Sequence, residues 1–395
     1  MKPVEIKPGI FWVGAVDWNL REFHGYRTSR GTTYNCYLIL DEKITLIDTV
    51  KHHLCDEMIS RISNLVDPSS INYIVANHAE MDHSGTLPEI LEIAKNAQVI
   101  TSPNGEKALK RYFKNNWNFH VVKTGDSINI GRHTLQFFLT PMLHWPDSMV
   151  TYMPDEKILL PNDAFGQHIA TPGRFDDEEN YEIIFEEATK YYATIVVPFG
   201  EQVKKALDAL SALNIEMIAP SHGIIWRSHP DKIIEAYRKW ANNEVEDKAL
   251  IVYDTMWGST EMMVRALNAG LEQSGVSVIV RSLQADHITE ILSDVLRSKA
   301  ILIGSPTLNN GVLPTVGAFL TSLKGLRYKN RIGFAFGSYG WGGGSIREIE
   351  AVINALKWEQ PVESLGVQYM PDEEELKKCE EIGMKLGEII KKKEL

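Results

Sequence analysis

The chain has 395 residues, of which 44% are hydrophobic and 24% are charged, and its formal net charge is −11. The length fits two domains with sizeable cores, and the acidic balance argues against a surface that binds nucleic acid or anionic membranes. No run of 18 apolar residues is present, and the first residues, MKPVEIKPGIFWVG, lack the apolar core of a signal peptide. The three cysteines have no CxxC spacing, which favours a reducing cytoplasm over a disulfide framework or a cysteine-ligated metal site.

The first half, up to about residue 247, is dominated by short apolar runs bounded by turn residues, a pattern typical of β-strands. The predicted strands are, in chain order, IFWVG, TYNCYLIL, ITLIDT, NYIVA, QVITS, HTLQFFLTP, MVTYMP, KILLPND, TIVVPFG and EMIAPSHG. Helical patterns lie between some of them, after Pro88 and at NGEKALKRYFKN and EQVKKALDALSAL. This mixture predicts two sheets with helices outside them rather than a βαβ repeat.

A polar, charged segment, WANNEVEDKA (residues 240–249), is the predicted linker, and strands and helices alternate strictly after it. The predicted strands are ALIVY, SVIVRSL, AILIGS, IGFAFGS and SLGVQYM. The predicted helices are EMMVRALNAGLEQSG, HITEILSDVLRSK, GAFLTSLKG, SIREIEAVINALK and EEELKKCEEIGMKLGEIIKKK, and the final KKKEL is expected to be a frayed, solvated helix end. Five strands with crossover helices predict a doubly wound parallel sheet. The predicted domains are therefore residues 1–247 and 248–395.

The stretch NHAEMDHSG, residues 77–85, places four potential metal ligands directly after a predicted strand. His78, Glu80 and Asp82 occupy alternate positions, and His83 follows them. Side chains at alternate positions of a strand end can converge on one point, and imidazole and carboxylate groups are metal ligands. Three later predicted strands end in residues of the same kind, namely His144, Asp163 and His222. The pattern predicts a metal site at one edge of the first domain.

This set of residues resembles the metallo-β-lactamase fold, whose motif H-x-H-x-D-H is followed downstream by His, Asp and His. Asp48, in LIDT, matches the early aspartate that braces the site in that fold. Glu80 replaces the second histidine of the motif, and this substitution is the mark of the flavodiiron proteins. Mixed carboxylate and imidazole ligation suits iron that cycles between its ferrous and ferric states.

The resemblance to flavodiiron proteins implies a role for each residue of the set. It implies that one iron is held by His78, Glu80 and His144, the other by Asp82 and His222, and that Asp163 bridges the two. It leaves His83 either as an optional ligand or as a residue that contacts the ligands. It also implies that His24, in REFHGYR, lies near the open face of the irons. A donor of protons or hydrogen bonds is useful there when oxygen-containing ligands are reduced.

Three loops follow strands of the predicted parallel sheet, where doubly wound folds bind ligands. The first, residues 255–260, offers hydroxyl groups and a glycine at a helix start, which suits a phosphate. It contains neither GxxxxGK[ST] nor GxGxxG, so a mononucleotide is favoured over a nucleoside triphosphate or a dinucleotide. The other two loops, residues 304–314 and 337–348, carry small polar residues and aromatic residues beside glycines, which suit a flat ring.

This second module resembles flavodoxin, with T-x-W-G-x-T as its phosphate loop, and the resemblance implies bound FMN. The candidate flavin-binding residues are Thr255, Met256, Trp257, Gly258, Ser259, Thr260, Pro306, Thr307, Leu308, Asn309, Asn310, Ser338, Tyr339, Gly340, Trp341 and Gly342. The expected fold class is α/β, with an N-terminal metallo-β-lactamase-like αββα sandwich followed by a flavodoxin-like doubly wound parallel sheet.

The resemblance implies an oxidoreductase in which FMN receives electrons from an external carrier, rubredoxin by analogy, and two iron ions use them. The family reduces dioxygen to water or nitric oxide to nitrous oxide. The resemblance also implies a head-to-tail homodimer, or a tetramer built from such dimers, in which one chain's FMN lies next to the other chain's irons. Two alternatives remain from the residues: a zinc hydrolase with a flavodoxin regulatory module, and an electron-transfer protein whose first domain is structural. Metal content distinguishes the first, and an inactive Glu80→Ala variant with normal FMN content would argue against the second.

Overall fold

The structure, a computed structural model, describes residues 1–392 and divides into two compact units. The first unit comprises residues 1–191 and 199–238, and the second comprises residues 192–198 together with residue 239 onward. The predicted frayed end is KKKEL, residues 391–395, but its first two residues belong to the last helix, which continues to Lys392. Residues 393–395 lie outside the described residues. Within residues 1–392, no helix combines the length and the apolar character that a membrane crossing needs.

The first half of the chain forms strands β1 to β16 and helices α1 to α7. The strands are β1 (Val4–Lys7), β2 (Ile10–Trp12), β3 (Ala15–Asp17), β4 (Glu22–Phe23), β5 (Tyr26–Arg27), β6 (Thr32–Tyr34), β7 (Tyr37–Ile39), β8 (Thr45–Ile47), β9 (Tyr73–Ala76), β10 (Gln98–Thr101), β11 (Phe119–Val121), β12 (Ser127–Asn129), β13 (Thr134–Leu139), β14 (Met149–Met153), β15 (Ile158–Leu160) and β16 (Met217–Ile218). The helices are α1 (Cys55–Ser63), α2 (Met81–Ser84), α3 (Leu87–Ile93), α4 (Pro103–Phe113), α5 (Tyr181–Tyr191), α6 (Gly200–Leu210) and α7 (Pro230–Ala241). Short non-α helical segments are His52–Leu54, Pro68–Ser70, Tyr192–Val196 and Val197–Phe199.

Two sheets form the centre of the first unit, a seven-stranded sheet ordered β1-β2-β7-β8-β9-β10-β11 and a five-stranded sheet ordered β12-β13-β14-β15-β16. A core cluster that includes Trp12, Phe137 and Met153 lies between them. Another cluster packs the outer face of the first sheet against α1, α3 and α4, and α6 packs near Val150 of the second sheet. The prediction of two sheets with helices outside is confirmed.

Strand β9 shows how the fold positions the metal-ligand motif. Its sequence, YIVA, is apolar throughout because β9 pairs in parallel with both β8 and β10, and parallel strands are usually covered on both faces. The strand ends at Ala76, so the motif of residues 77–85 begins at the carboxyl edge of this sheet, and helix α2 forms within it.

Three predictions of local structure need correction. The run TIVVPFG, predicted as a strand, is helical, because the chain continues from α5 through residues 192–199 into α6 and buries the run from several sides. A short apolar run does not by itself distinguish a strand from a buried helix. TYNCYLIL forms two strands, β6 and β7, in different sheets. The predicted linker, residues 240–249, is shorter than expected, since α7 ends at Ala241 and the next strand begins at Glu246.

The second unit contains one parallel sheet, as predicted. Its strands are β17 (Glu246–Tyr253), β18 (Ser277–Ser282), β19 (Ser298–Gly304), β20 (Ile332–Tyr339) and β21 (Leu365–Gln368). They are ordered β18-β17-β19-β20-β21, and every neighbouring pair is parallel. The helices are α8 (Ser259–Gln273), α9 (Ile288–Arg297), α10 (Pro314–Leu326), α11 (Ser345–Ala355) and α12 (Glu373–Lys392). This strand order is the flavodoxin-like one, with its ligand-binding crevice at the carboxyl ends of the strands.

Candidate metal centre and flavin site

Asp48 fastens two of the loops that carry candidate ligands. It lies just after β8, is 4% exposed, and its Oδ1 accepts a hydrogen bond from the backbone N–H of Asn77 at 2.8 Å. Its Oδ2 accepts from the side-chain amides of Asn77 at 3.0 Å and Asn162 at 3.1 Å. These neighbours precede His78 and Asp163 directly. The contacts agree with the bracing role expected for this aspartate.

The six residues predicted as metal ligands come together in the first unit, and His83 joins them. Their ligand atoms form two groups in which every atom lies within 4.8 Å of the others. The first group contains His78, Glu80, His144 and Asp163, and the second contains Asp82, His83 and His222. Asp163 lies at the junction: its Oδ2 is 3.0 Å from His144 Nε2 and its Oδ1 is 2.9 Å from His83 Nε2. One carboxylate that faces both groups has the geometry of a bridging ligand.

His83 lies in the second group on equal terms with the other histidines. Its Nε2 atom is 2.9 Å from Asp163 Oδ1 and 3.3 Å from Asp82 Oδ1, and the residue is 2% exposed. The Nε2 atom of His222 is 3.2 Å from Asp82 Oδ2. Of the two roles left open for His83, this position favours that of a ligand.

Hydrogen bonds behind the cluster set the orientation of two imidazoles. The Nδ1 atom of His222 is 2.7 Å from the backbone carbonyl of Thr33, which can only accept, so this nitrogen carries the proton. The Nδ1 atom of His78 is 3.0 Å from Asp147 Oδ2, which also accepts from the N–H of Ala79 at 2.6 Å. In the neutral ring that binds a metal, Nδ1 keeps the proton, so the lone pair at Nε2 would face the other ligands. The donor set therefore fits two metal ions.

The charges in the cluster compensate one another. Burial alone would lower the pKa of His78, but Asp147, Glu80 and Asp163 outweigh it and raise this pKa to about 10. In the same way Asp163 and Glu80 raise the pKa of His144 to about 10. The protonated imidazoles thus balance the carboxylates of the metal-free protein. Divalent cations would take the place of these protons.

A small hairpin carries His24 to the edge of this cluster. Strands β4 and β5 are joined by His24 and Gly25, whose φ angles of 53° and 83° are both positive, as a type I′ turn requires. His24 Nε2 lies 3.1 Å from Glu80 Oε1, and its side chain is 68% exposed. Phe23 contacts the ring of His222 with a centroid distance of 6.4 Å. The structure therefore brings the predicted donor to a ligand of the first group.

Sequence reasoning missed Asp147 and His168. Asp147 orients His78, and its one sequence signal is a carboxylate three positions after a candidate ligand, in HWPD. The ring of His168 lies 4.9 Å from that of His222, and its Nδ1 is 2.9 Å from Thr32 Oγ1. No pattern in the sequence distinguishes this histidine from others, because its neighbours come from distant segments.

The second unit contains a cavity of about 710 Å³ at the carboxyl edge of its sheet. The cavity is lined by Met256, Trp257, Ser259, Pro306, Thr307, Leu308, Asn309, Asn310, Ser338, Tyr339, Gly340, Trp341, Gly342, Tyr369 and Met370. All but three of the candidate flavin residues are among them, the exceptions being Thr255, Gly258 and Thr260. Tyr369 and Met370 were not predicted, although they follow the fifth strand at the same sheet edge. An aromatic-lined space of this size fits a flavin ring.

The loop before α8 has the features of a phosphate site. Gly258 precedes the helix with a φ of 86°, and its N–H donates to Thr255 Oγ1 at 3.1 Å. The hydroxyl of Thr260, in the first turn, is buried and has no hydrogen-bond partner within the described part of the chain. Because α8 is 15 residues long, its N-terminal N–H groups and dipole favour an anion. This loop contains the three predicted residues that do not line the cavity, and its geometry suits a phosphate group.

Two protein-family models match this chain, one in each half. The family model described as ODP family beta lactamase matches residues 32–223, and the flavodoxin model matches residues 251–383. A nitric oxide reductase from Moorella thermoacetica is 48% identical over 98% of this chain and 98% of its own length. The solved flavodiiron protein from Giardia intestinalis is 35% identical, covers 99% of this chain and 97% of its own, and superposes with a TM-score of 0.96. The chain belongs to the flavodiiron protein family.

Another solved relative of this flavodiiron protein is rubredoxin oxygen:oxidoreductase from the anaerobe Desulfovibrio gigas. It is 38% identical, covers 99% of each chain and has a TM-score of 0.97. The predicted fold class is confirmed, and the chain is an oxidoreductase with FMN and a non-haem di-iron site. A zinc hydrolase is not favoured. The assignment of individual residues to each cofactor remains a prediction.

Proposed function

We propose that this flavodiiron protein passes electrons from a small external carrier through FMN to its di-iron site. There dioxygen is reduced to water, or nitric oxide to nitrous oxide. The observation that carries the proposal is one chain with both a buried binuclear donor set of mixed carboxylates and imidazoles and a flavin-sized cavity. The names of its relatives, a nitric oxide reductase and a rubredoxin oxygen:oxidoreductase, support both oxidants and rubredoxin as the carrier.

The donor set supports a specific ligand assignment. We assign His78, Glu80 and His144 to one iron and Asp82, His83 and His222 to the other, with Asp163 as the bridge. When bound, two adjacent iron ions supply electrons to one dioxygen or to two nitric oxide molecules. The protein's own contribution is to fix the imidazoles through Asp147 and Thr33 and to keep the cluster buried.

His24 is proposed as the residue that delivers a proton or a hydrogen bond to the reduced oxidant. Reduction of either oxidant consumes protons as well as electrons, so a donor within reach of the irons is useful. The exposed imidazole exchanges protons with solvent, and its Nε2 lies 3.1 Å from Glu80 Oε1.

The proposed assembly is a head-to-tail homodimer, and a tetramer would be a dimer of such dimers. Both cofactor sites have apolar side chains at their rims: the flavin cavity is flanked by Trp257 and Trp341, which are 87% and 95% exposed. Beside the metal ligands, Met81 and Met142 are 43% and 38% exposed. Apolar patches of this kind are typical of interaction surfaces, and pairing one copy's flavin rim with another copy's metal rim would cover both. We place the protein in the cytoplasm, where its three unpaired, buried cysteines stay reduced.

Metal analysis combined with anaerobic turnover tests the proposed function. Protein isolated without chelators should contain FMN and about two irons per chain. With chemically or enzymatically reduced rubredoxin it should consume dioxygen or nitric oxide, and comparing the two rates identifies the preferred oxidant. A protein that carries two zincs and no iron, or that consumes neither oxidant, would contradict the proposal.

Replacing Glu80 by histidine tests why this ligand is a carboxylate. Glu80→His restores the H-x-H-x-D-H motif, so the site gains a neutral ligand and loses one negative charge. Because imidazole-rich sites suit zinc, we expect iron content and oxidant turnover to fall at least tenfold, while FMN content stays unchanged. The control is Glu92→His, because Glu92 is an exposed residue of helix α3. Full turnover in Glu80→His with bound iron would refute the role assigned to the carboxylate.

A further inference from the structure

An apolar cavity lies beside the metal cluster in the first unit. It is enclosed by helix α6 on one side and by the loops after β13 and β15 on the other, and its lining includes Leu143, Ala164, Val203, Ala206 and Leu207. The free space, about 10 Å³ for the centre of a water-sized molecule, has room for one small molecule. The exposed surface of its lining is apolar, so the cavity offers water no hydrogen-bond partners and should be dry.

The position of this cavity relates it to the chemistry of the metal cluster. Leu143 immediately precedes the candidate ligand His144, and Ala164 immediately follows the bridging candidate Asp163. Consecutive Cα atoms are at most about 4 Å apart. The main chain of these two loops is therefore a shared wall, with the ligands on one face and the apolar cavity on the other.

We propose that this cavity is a holding site for the small, weakly polar oxidant beside the di-iron centre. Dioxygen and nitric oxide share the relevant chemistry: both are diatomic, weakly polar and of about the size of the space. An apolar pocket concentrates such molecules relative to water, whereas it rejects ions and water. The proposal rests on the proposed function for the identity of its ligand, but the cavity itself can be tested without turnover.

Xenon binding to the folded holoenzyme tests the site directly. Xenon is a monatomic apolar probe that occupies dry cavities, so a crystal pressurised with xenon should show one atom between α6 and the loops at residues 143 and 164. Ala206→Leu places three further carbon atoms into the space, and xenon binding should be lost. Ala209→Leu makes the same substitution on the solvent-exposed side of α6 and should leave xenon binding unchanged.

Steady-state kinetics test whether the site serves the reaction. In Ala206→Leu the KM for the oxidant should rise about fourfold. This factor corresponds to the free energy that one methylene-sized apolar group gains when it moves from water to an apolar environment. The kcat at saturating oxidant and the iron and FMN contents should match those of Ala209→Leu. Val203→Ile fills the space with a single methylene and keeps the test available if Ala206→Leu is poorly folded.

Each outcome bears on one proposal. Absence of xenon from the wild-type cavity would overturn the holding site, and so would an unchanged KM in a folded variant that has lost xenon. Xenon binding in a protein that reduces neither oxidant would instead contradict the proposed function and, with it, the assignment of dioxygen or nitric oxide as the ligand.

Discussion

The imidazole of His78 is oriented by a residue that is not itself a candidate ligand. Asp147 accepts hydrogen bonds from the Nδ1 side of this ring and from the N–H of Ala79, so it fixes both the ring and the start of the ligand loop. The interaction joins residues 69 positions apart. Removal of such a partner usually weakens metal binding without changing the ligand count.

Asp147→Asn should therefore lower the affinity for iron about 10- to 100-fold. An amide still accepts one hydrogen bond but lacks the charge that supports the imidazole and its tautomer. Iron retention is measured against a chelator of known affinity, with FMN content and thermal unfolding as readouts of overall structure. Asp177→Asn is the matched control, because Asp177 pairs with Arg227 at the surface, at 2.9 Å. Equal iron retention in the two variants would show that Asp147 does not position His78.

The difference between predicted and missed residues at this scale has a physical cause. His78, Glu80 and Asp82 share one strand end, so local periodicity is enough to group them. Asp147 and His168 act through neighbours far away in the sequence. Aspartate and histidine are also common on protein surfaces, so the residue types alone do not indicate a role. A single sequence reveals side chains that converge locally, but not those that support them from other segments.

Among the secondary-structure elements, the turns at one end of the sandwich are joined by Asp41. This residue follows β7, in the first sheet, and accepts hydrogen bonds from the backbone N–H groups of Arg132 and His133 at 3.0 and 2.9 Å, in the turn between β12 and β13 of the second sheet. The Nδ1 atom of the His133 ring lies 2.7 Å from Asp41 Oδ2. Although burial by itself raises the pKa of Asp41, these contacts outweigh it and lower the pKa to about 2 from 3.8.

The lowered pKa of Asp41 predicts how the stability of the protein changes with pH. Since the folded pKa lies below the unfolded one, the stabilisation is complete above about pH 4 and is lost as the pH falls towards 2, amounting to about 2 kcal/mol. We expect Asp41→Asn to destabilise the metal-free protein at pH 5 but hardly at pH 2. Urea unfolding of both proteins across this range measures the difference. A difference that does not change with pH would show that the charge of Asp41 contributes nothing.

The phosphate loop before α8 rests on a buried carboxylate. Asp254 accepts hydrogen bonds from the N–H of Thr255 and the side-chain amide of Gln284, both at 2.6 Å, and from the hydroxyl of Thr315. These partners come from the loop itself, from the segment after β18 and from the start of α10. The carboxylate therefore holds the loop in one conformation although its charge opposes a bound phosphate.

Asp254→Ala should weaken FMN binding about tenfold through loss of this loop conformation, since an unmade buried hydrogen bond costs on the order of 1 to 3 kcal/mol. Riboflavin lacks the phosphate, so its affinity should be almost unchanged. Flavin fluorescence titrations of the flavin-free protein with both ligands provide the measurement. An equal loss for FMN and riboflavin would indicate general damage to the cavity rather than a role at the phosphate.

Sequence pattern predicted the elements of the second unit better than those of the first. Each strand of the parallel sheet alternates with a long helix, and each has its own apolar run. In the first unit the strands are as short as two residues, as in β4 and β5, and so carry no period. The prediction for TIVVPFG was wrong for a different reason. The run is apolar throughout, so it has no period, and the flanking helices α5 and α6 decide its conformation.

At the scale of the whole molecule, the proposed homodimer makes electron transfer an event between chains. A mixture of two inactive variants tests this arrangement. One variant, Glu80→Ala, retains FMN but has a disrupted metal site; the other, Ser338→Arg, retains iron but has a blocked flavin cavity.

Co-expression of the two variants should restore about a quarter of the wild-type turnover. Random pairing makes half of the dimers mixed, and each mixed head-to-tail dimer has one intact flavin–iron pair. Each variant expressed alone should be inactive, and iron and FMN counts serve as controls. If the mixed sample stays inactive although mixed dimers are isolated by two affinity tags, electrons pass within a single chain.

The course of the chain has a consequence for biosynthesis. Residues 192–198 belong to the second unit, and the carbonyl of Ala193 accepts a hydrogen bond from the hydroxyl of Tyr328, 135 residues later. A ribosome needs on the order of ten seconds to add that length. Until then the apolar segment leaves the tunnel without its partners, and a nascent chain that stops near residue 247 never acquires them. Translation that stops at the predicted domain boundary should therefore yield a product that chaperones retain and proteases degrade. The full-length chain should escape both.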